Sequence, residues 1–105
     1  MKIVNRGYIS VKGREPYMNW INNHEEEFLM DAAVEANIYL IEEDFFDIEP
    51  LIKGNFKKIF LNELEAITDD EDSYPNIDLA TFEKWFEVEV GNAVFDCEKG
   101  GLNAG

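Results

Sequence analysis

Cysteine occurs once, at Cys97, and histidine once, at His24. A single thiol closes no internal disulfide, which favours a reducing compartment. One histidine and one cysteine also fall short of the ligand set that a zinc or other transition-metal centre takes. No stretch approaches the ~18 consecutive apolar residues of a membrane span. The opening residues, MKIVNRGYISVKGR, hold no apolar run of signal-peptide length. The expected location is cytoplasmic. Bases are scarce as well: nine Lys and Arg stand against 23 Asp and Glu, a net charge of −14. Phosphate backbones and anionic membranes are repelled by such a surface, so neither nucleic acid nor membrane is an expected partner.

The charge is unevenly placed. Residues 1–14 hold Lys2, Arg6, Lys12 and Arg14 and no acid, and all the acids lie beyond them. An acidic surface steers a basic protein partner toward it. The plainer reading is that it keeps a small protein soluble. Apolar residues make up 46% of the chain and aromatics 13%, enough for a core. The 105 residues suit one domain, expected over 1–98 with 99–105 as a flexible tail.

The richest stretch is TFEKWFEVEVGNAVFDC, Thr81–Cys97. Leu79, Phe82 and Phe86 follow helical spacing. Phe86, Val88 and Val90 then alternate with Glu87 and Glu89. The period changes near Trp85–Phe86, so a helix hands over directly to a strand there. Phe86 belongs to the apolar stripe and is expected in the core. Trp85 flanks that stripe and is expected only partly buried.

Ahead of it, residues 3–12 alternate as a strand, with Ile3, Asn5, Gly7, Ile9 and Val11 on one side and Val4, Tyr8 and Ser10 on the other, and Gly7 marks a bulge or a close approach. Pro16 opens a short helix whose Tyr17, Trp20 and Ile21 share a face. Glu25–Ala36 reads as a second helix with Phe28, Leu29, Ala32, Ala33 and Ala36 in one stripe. Asn37–Glu42 reads as a strand, and its unbroken Ile38–Ile41 run predicts cover on both faces. Phe45 and Phe46 look exposed in the connection that follows. Asp47 is placed to cap a long helix with Ile52, Phe56, Ile59, Phe60, Leu64 and Ile67 in its stripe, and Gly54 marks a possible break. TDDEDSYPN is a loop, and Asp78 is placed to cap the last helix. The expected fold is α+β: a small three-stranded antiparallel or mixed sheet with about four helices mainly on one face, in the order β-α-α-β-α-α-β.

Motifs for chemistry are weak. Asp69, Asp70, Glu71 and Asp72 supply oxygen ligands, yet a calcium loop starting at Asp72 puts Ile77 where glycine is required. No metal or cofactor is therefore expected, and the acidic loop reads as solvated. His24 and Cys97 are the only soft pair that could activate a nucleophile, and no serine carries a motif. No glycine group matches a phosphate cradle. A non-catalytic protein–protein interaction domain is the favoured reading, with a basic protein or a second copy as partner. If helices cover one sheet face, Val4 and Tyr8 lie on the other, with either Tyr39 and Ile41 or Ile38 and Leu40. The candidate partner surface is Val4, Tyr8, Tyr39, Ile41 and Trp85. The alternatives are a small ligand-binding or hydrolytic domain using Glu63, Glu65 or Asp69 near Trp85, and an acidic inhibitor that mimics nucleic acid.

Five segments together, NRGYISVK, REPYMNWIN, IYLIEE, FKKIFLNELEAITDDEDSYP and FEKWFEVEVGNAVFD, resemble a family of small uncharacterised bacterial proteins. Its segments run as an Asn-Arg strand, a Pro-aromatic-x-x-Trp stretch, a Tyr-Leu-Ile strand, an IFxxELxxW helix with a DExxWP loop, and a WFxxxxHSxVxD strand. The resemblance spans nearly the whole chain and implies a shared fold, with no activity to carry over. Here Ile67 and Tyr74 replace two tryptophans of that pattern, and Gly91-Asn92 replaces its His-Ser pair.

Overall fold

The computed structural model describes residues 1–24 and 35–98. Its elements run β1 (Lys2–Val4), β2 (Gly7–Gly13), α1 (Glu15–Asn22), β3 (Asn37–Ile41), α2 (Ile48–Glu65), a 3-10 turn (Glu71–Ser73), α3 (Leu79–Trp85), β4 (Phe86–Gly91) and β5 (Val94–Asp96). The fold is α+β, with three helices and two small antiparallel sheets among the described residues. Five strands in two sheets correct the expected single sheet of three, and three helices stand against the expected four. Of the expected helix Glu25–Ala36, residues 25–34 lie outside the described residues.

The larger sheet has the order β3-β2-β4, and β1 pairs with β5 in a separate ribbon. The first strand divides because the chain turns at Asn5–Arg6, where the Arg6 N–H donates to the Val4 carbonyl at 2.8 Å. That turn sends Lys2–Val4 away from the larger sheet to pair with Val94–Asp96. Ile3, expected alongside Ile9 and Val11, is consequently 76% exposed. The chain's final stretch divides likewise, since Asn92 and Ala93 separate β4 from the returning β5.

Pleat parity decides what each strand buries. In β2, Gly7, Ile9 and Val11 point inward, where Ile9 and Val11 are essentially inaccessible. Across the ladder, Tyr39 opposes Ile9 on one side and Val90 opposes it on the other. The helices cover this inner face. α1 brings Tyr17, Trp20 and Ile21 to the core. α2 brings Leu51, Phe56, Ile59, Phe60 and Leu64. The helix-to-strand handover falls between Trp85 and Phe86, and Phe86 already has extended backbone angles. It is anchored from outside: the Arg14 N–H donates to the Trp85 carbonyl at 2.7 Å, and Gly13 pairs with Phe86.

Two glycines show different physics. Gly54 does not break α2, which runs unbroken from Ile48 to Glu65. A β-carbon there would meet nothing within 4 Å, so its cost is propensity alone, about 1 kcal/mol. That is small beside the buried stripe on the same helix. Gly7 marks a close approach: a β-carbon would lie 3.0 Å from both the Glu42 carbonyl oxygen and the Phe45 ring. Phe45 is therefore half-buried against the core, and only Phe46 is fully exposed.

Candidate functional site

The outer face of the larger sheet, opposite the helices, carries Tyr8, Ser10 and Lys12 from β2, Ile38 and Leu40 from β3, and Glu87 and Glu89 from β4. The β1–β5 ribbon lies beside it. Two adjoining hollows result. One of about 460 Å³ is lined by Tyr8, Ser10, Ile38, Glu89, Val94 and Phe95, among others. The other, about 360 Å³, is lined by Val4, Ile38, Leu40, Val94, Phe95, Asp96 and Cys97. Ile38, Leu40 and Phe95 are 57%, 51% and 54% exposed, so three large apolar side chains share this surface. Contiguous exposed apolar area of this kind marks interaction sites on small proteins.

The five residues expected to form a partner surface do not share one. Val4 and Tyr8 line the outer face. Tyr39 and Ile41 point the other way, against the core. The β3 run is thus covered on one face only, and its open face is Ile38 and Leu40. Trp85 stands among rings, 5.9 Å from Phe60, 6.0 Å from Trp20 and 6.2 Å from Tyr17. It belongs to the helical side and not to the outer face. Phe95 and Val94 were hidden from sequence reasoning because they read as the end of one long strand.

Tyr8 owes its place to Gly91 directly across the ladder. A β-carbon on Gly91 would come within 2.5 Å of the Tyr8 ring. The aromatic ring lies over the bare glycine, where a side chain at that position would displace it.

On the helical side a second feature combines a cleft with a buried acid. The cleft, about 590 Å³, runs between β3 and α2 and is lined by Tyr39, Ile41, Glu42, Leu51, Asn55, Lys58, Ile59 and Asn62, together with Leu40. Behind it Glu63 is 4% exposed. Its Oε2 accepts from the Tyr39 hydroxyl at 2.5 Å and from the Asn37 amide at 2.7 Å. Asn62 donates to the Tyr39 oxygen at 3.0 Å, and the Tyr17 hydroxyl donates to the Glu63 carbonyl at 2.9 Å. Burial pushes the Tyr39 phenol well above its ordinary range, and its hydrogen bond to Glu63 adds to this. Tyr17 moves the same way, through burial first and then the charge of Glu63. Both phenols hold their protons, so the cluster donates inward. Glu63 sits four residues from both Ile59 and Ile67, inside the apolar stripe; that spacing was the signal that it faces the interior.

Among the described residues, Glu63, Glu65 and Asp69 do not come together as an acid–base pair. Glu65 and Asp69 are exposed on the surface, away from the buried Glu63. The acidic loop folds upon itself: Asp70 Oδ1 accepts from the Asp72 N–H at 3.3 Å, and the Ser73 hydroxyl donates to the Asp70 carbonyl at 2.7 Å. The Trp20 indole N–H anchors it by donating to the Ser73 carbonyl at 3.0 Å. Among the described residues no group of three or more His, Cys, Asp or Glu is placed to hold a metal ion. His24 packs at a tilt against Trp20 with centroids 4.5 Å apart, and its Nδ1 lies 2.8 Å from the Trp20 carbonyl oxygen. Cys97 is exposed and lines the outer face. No helix among the described residues is long and apolar enough to cross a membrane.

No family model, no curated protein and no solved structure matches the chain. The site is read from its own geometry.

Proposed function

We propose that the protein is a non-catalytic protein–protein interaction domain and that the outer sheet face is its partner surface. The observation that carries this reading is the grouping of Ile38, Leu40 and Phe95, each more than half exposed, around two adjoining hollows. Apolar side chains at the centre of a face, with charged residues at its margin, match the anatomy of a protein interface. The test is affinity capture from the source lysate by the immobilised full chain, with Leu40→Lys and Ile38→Lys beside the unaltered protein. A specific partner, this chain or another, should be retained by the unaltered protein and lost from both variants. Capture that is equal on all three, or no capture at all, would refute the assignment.

A second reading has one observation in its favour. The cleft between β3 and α2 combines an apolar floor, Leu51 and Ile59, with polar groups on Asn55, Lys58 and Asn62. A few polar groups in an otherwise apolar concavity are the usual lining of a small-molecule site. Thermal-shift screening with small anions and neutral metabolites tests it, and a Lys58→Ala variant that keeps every observed shift would dismiss it.

A further inference from the structure

We propose that the outer face joins two copies of this chain in an isologous dimer. The inference rests on the interaction reading above and names the partner.

The chain carries −14, so most of its surface repels a second copy. The outer face differs. Lys12 stands directly across the ladder from Glu87, with Glu89 one pleat further along the same side. Lys2 pairs across the ribbon with Asp96, which lines the hollow beside Ile38 and Leu40. Two bases thus stand among three acids around the apolar centre. Both bases come from the acid-free first 14 residues, which supply β1 and β2.

A two-fold interface places the same patch on both partners, so a patch must complement itself. A patch of one sign cannot do so, and this one carries both. A copy turned about an axis that lies in the face, passing near Leu40 and between Lys12 and Glu87, sets each Lys12 toward the Glu87 of the other and brings the two apolar centres together. A strongly basic partner would instead leave Lys2 and Lys12 facing like charge.

Sedimentation velocity on the full chain tests this. The expected result is a concentration-dependent dimer whose dissociation constant rises about tenfold or more in Leu40→Lys, the loss typical of a central apolar contact. Leu40 is half exposed, so far-UV circular dichroism and cooperative melting should be unchanged; Ile38→Lys serves as the second variant. Lys12→Glu and Glu87→Lys should each weaken self-association, and mixing the two should restore a dimer, since each then meets its opposite. A strictly monomeric protein overturns the proposal, as does a dimer that survives both apolar variants. If the protein is monomeric but captures a different chain through Leu40, the partner is wrong and the interaction surface stands. If it is monomeric and the variants change no capture, both fall.

Discussion

Replacing Phe86 by alanine tests how the helix-to-strand junction is held. Phe86 is 1% exposed. Its ring centroid lies 4.6 Å from that of Tyr17, 5.3 Å from Phe82 and 5.6 Å from Phe60. These neighbours belong to three different helices, so none can close the gap without leaving its own packing. Loss of a buried phenylalanine ring typically costs about 3–5 kcal/mol, the transfer energy plus the cavity. Against a total of ~5–15 kcal/mol for a domain this is a large fraction. With a urea m-value of about 2 kcal/mol/M, the midpoint falls by roughly 2 M. Trp85 is the internal comparison. It is half-buried, and its ring neighbours are all about 6 Å away. Trp85→Ala should therefore cost clearly less than Phe86→Ala. Phe86→Leu keeps much of the volume and reads the ring–ring component, on the order of 0.5–1.5 kcal/mol per pair. Urea titrations followed by circular dichroism decide the matter. Equal losses at the two positions, or a larger loss for Trp85, would show that the junction is not held by Phe86.

Three further perturbations probe separate elements. Gly54→Ala should stabilise by about 1 kcal/mol, because the helix is continuous there and the new methyl meets nothing; a lower melting temperature would contradict this. Gly91→Ala should destabilise by pushing the Tyr8 ring off the sheet, and in a Tyr8→Ala background the same change should become neutral or favourable; additive losses in that double-mutant cycle would refute the contact. In alkali, Tyr17 and Tyr39 keep protons that the unfolded chain releases from about pH 10, so the native state binds more protons and stability falls as pH rises. That contribution is fully present below pH ~10. Replacing both by phenylalanine should flatten the alkaline limb of a stability–pH curve, and parallel curves would count against it.

Legibility varied with the kind of signal. The junction at Trp85–Phe86 was readable because hydrophobic period changes there from helical to alternating, and no other structure fits both halves. The inward parity of Gly7, Ile9 and Val11 was readable for the same reason. The division of the first strand was not: Asn5–Arg6 continues the alternation, and only pairing of β1 with β5 shows that the chain has turned away. Helix α2 was readable in its stripe but not in its continuity, because the penalty at Gly54 is local and the burial that overrides it is tertiary. The outer face was half readable. Val4 and Tyr8 follow from alternation, whereas Asn37–Ile41 is apolar on both faces and offers two equivalent choices.

That ambiguity gives the cluster around Glu63 its larger consequence. Slipping β3 by one residue would bury Ile38 and Leu40 and turn Tyr39 and Ile41 outward, at little change in buried apolar area. Asn37 and Tyr39 lie on one side of the strand, two residues apart, and both donate to Glu63 Oε2. In the slipped pairing neither reaches it, and a buried carboxylate without donors costs at least ~1–3 kcal/mol. The acid therefore selects between two folds that hydrophobicity cannot tell apart. A Glu63→Leu chain should lose that selection and show doubled amide resonances along β3; a single set would mean the choice is made elsewhere. Seen this way, an interior proton-acceptor determines which side chains the molecule offers to its surroundings. Ile38 and Leu40 stand outside because Glu63 has claimed the residues on either side of Ile38 within.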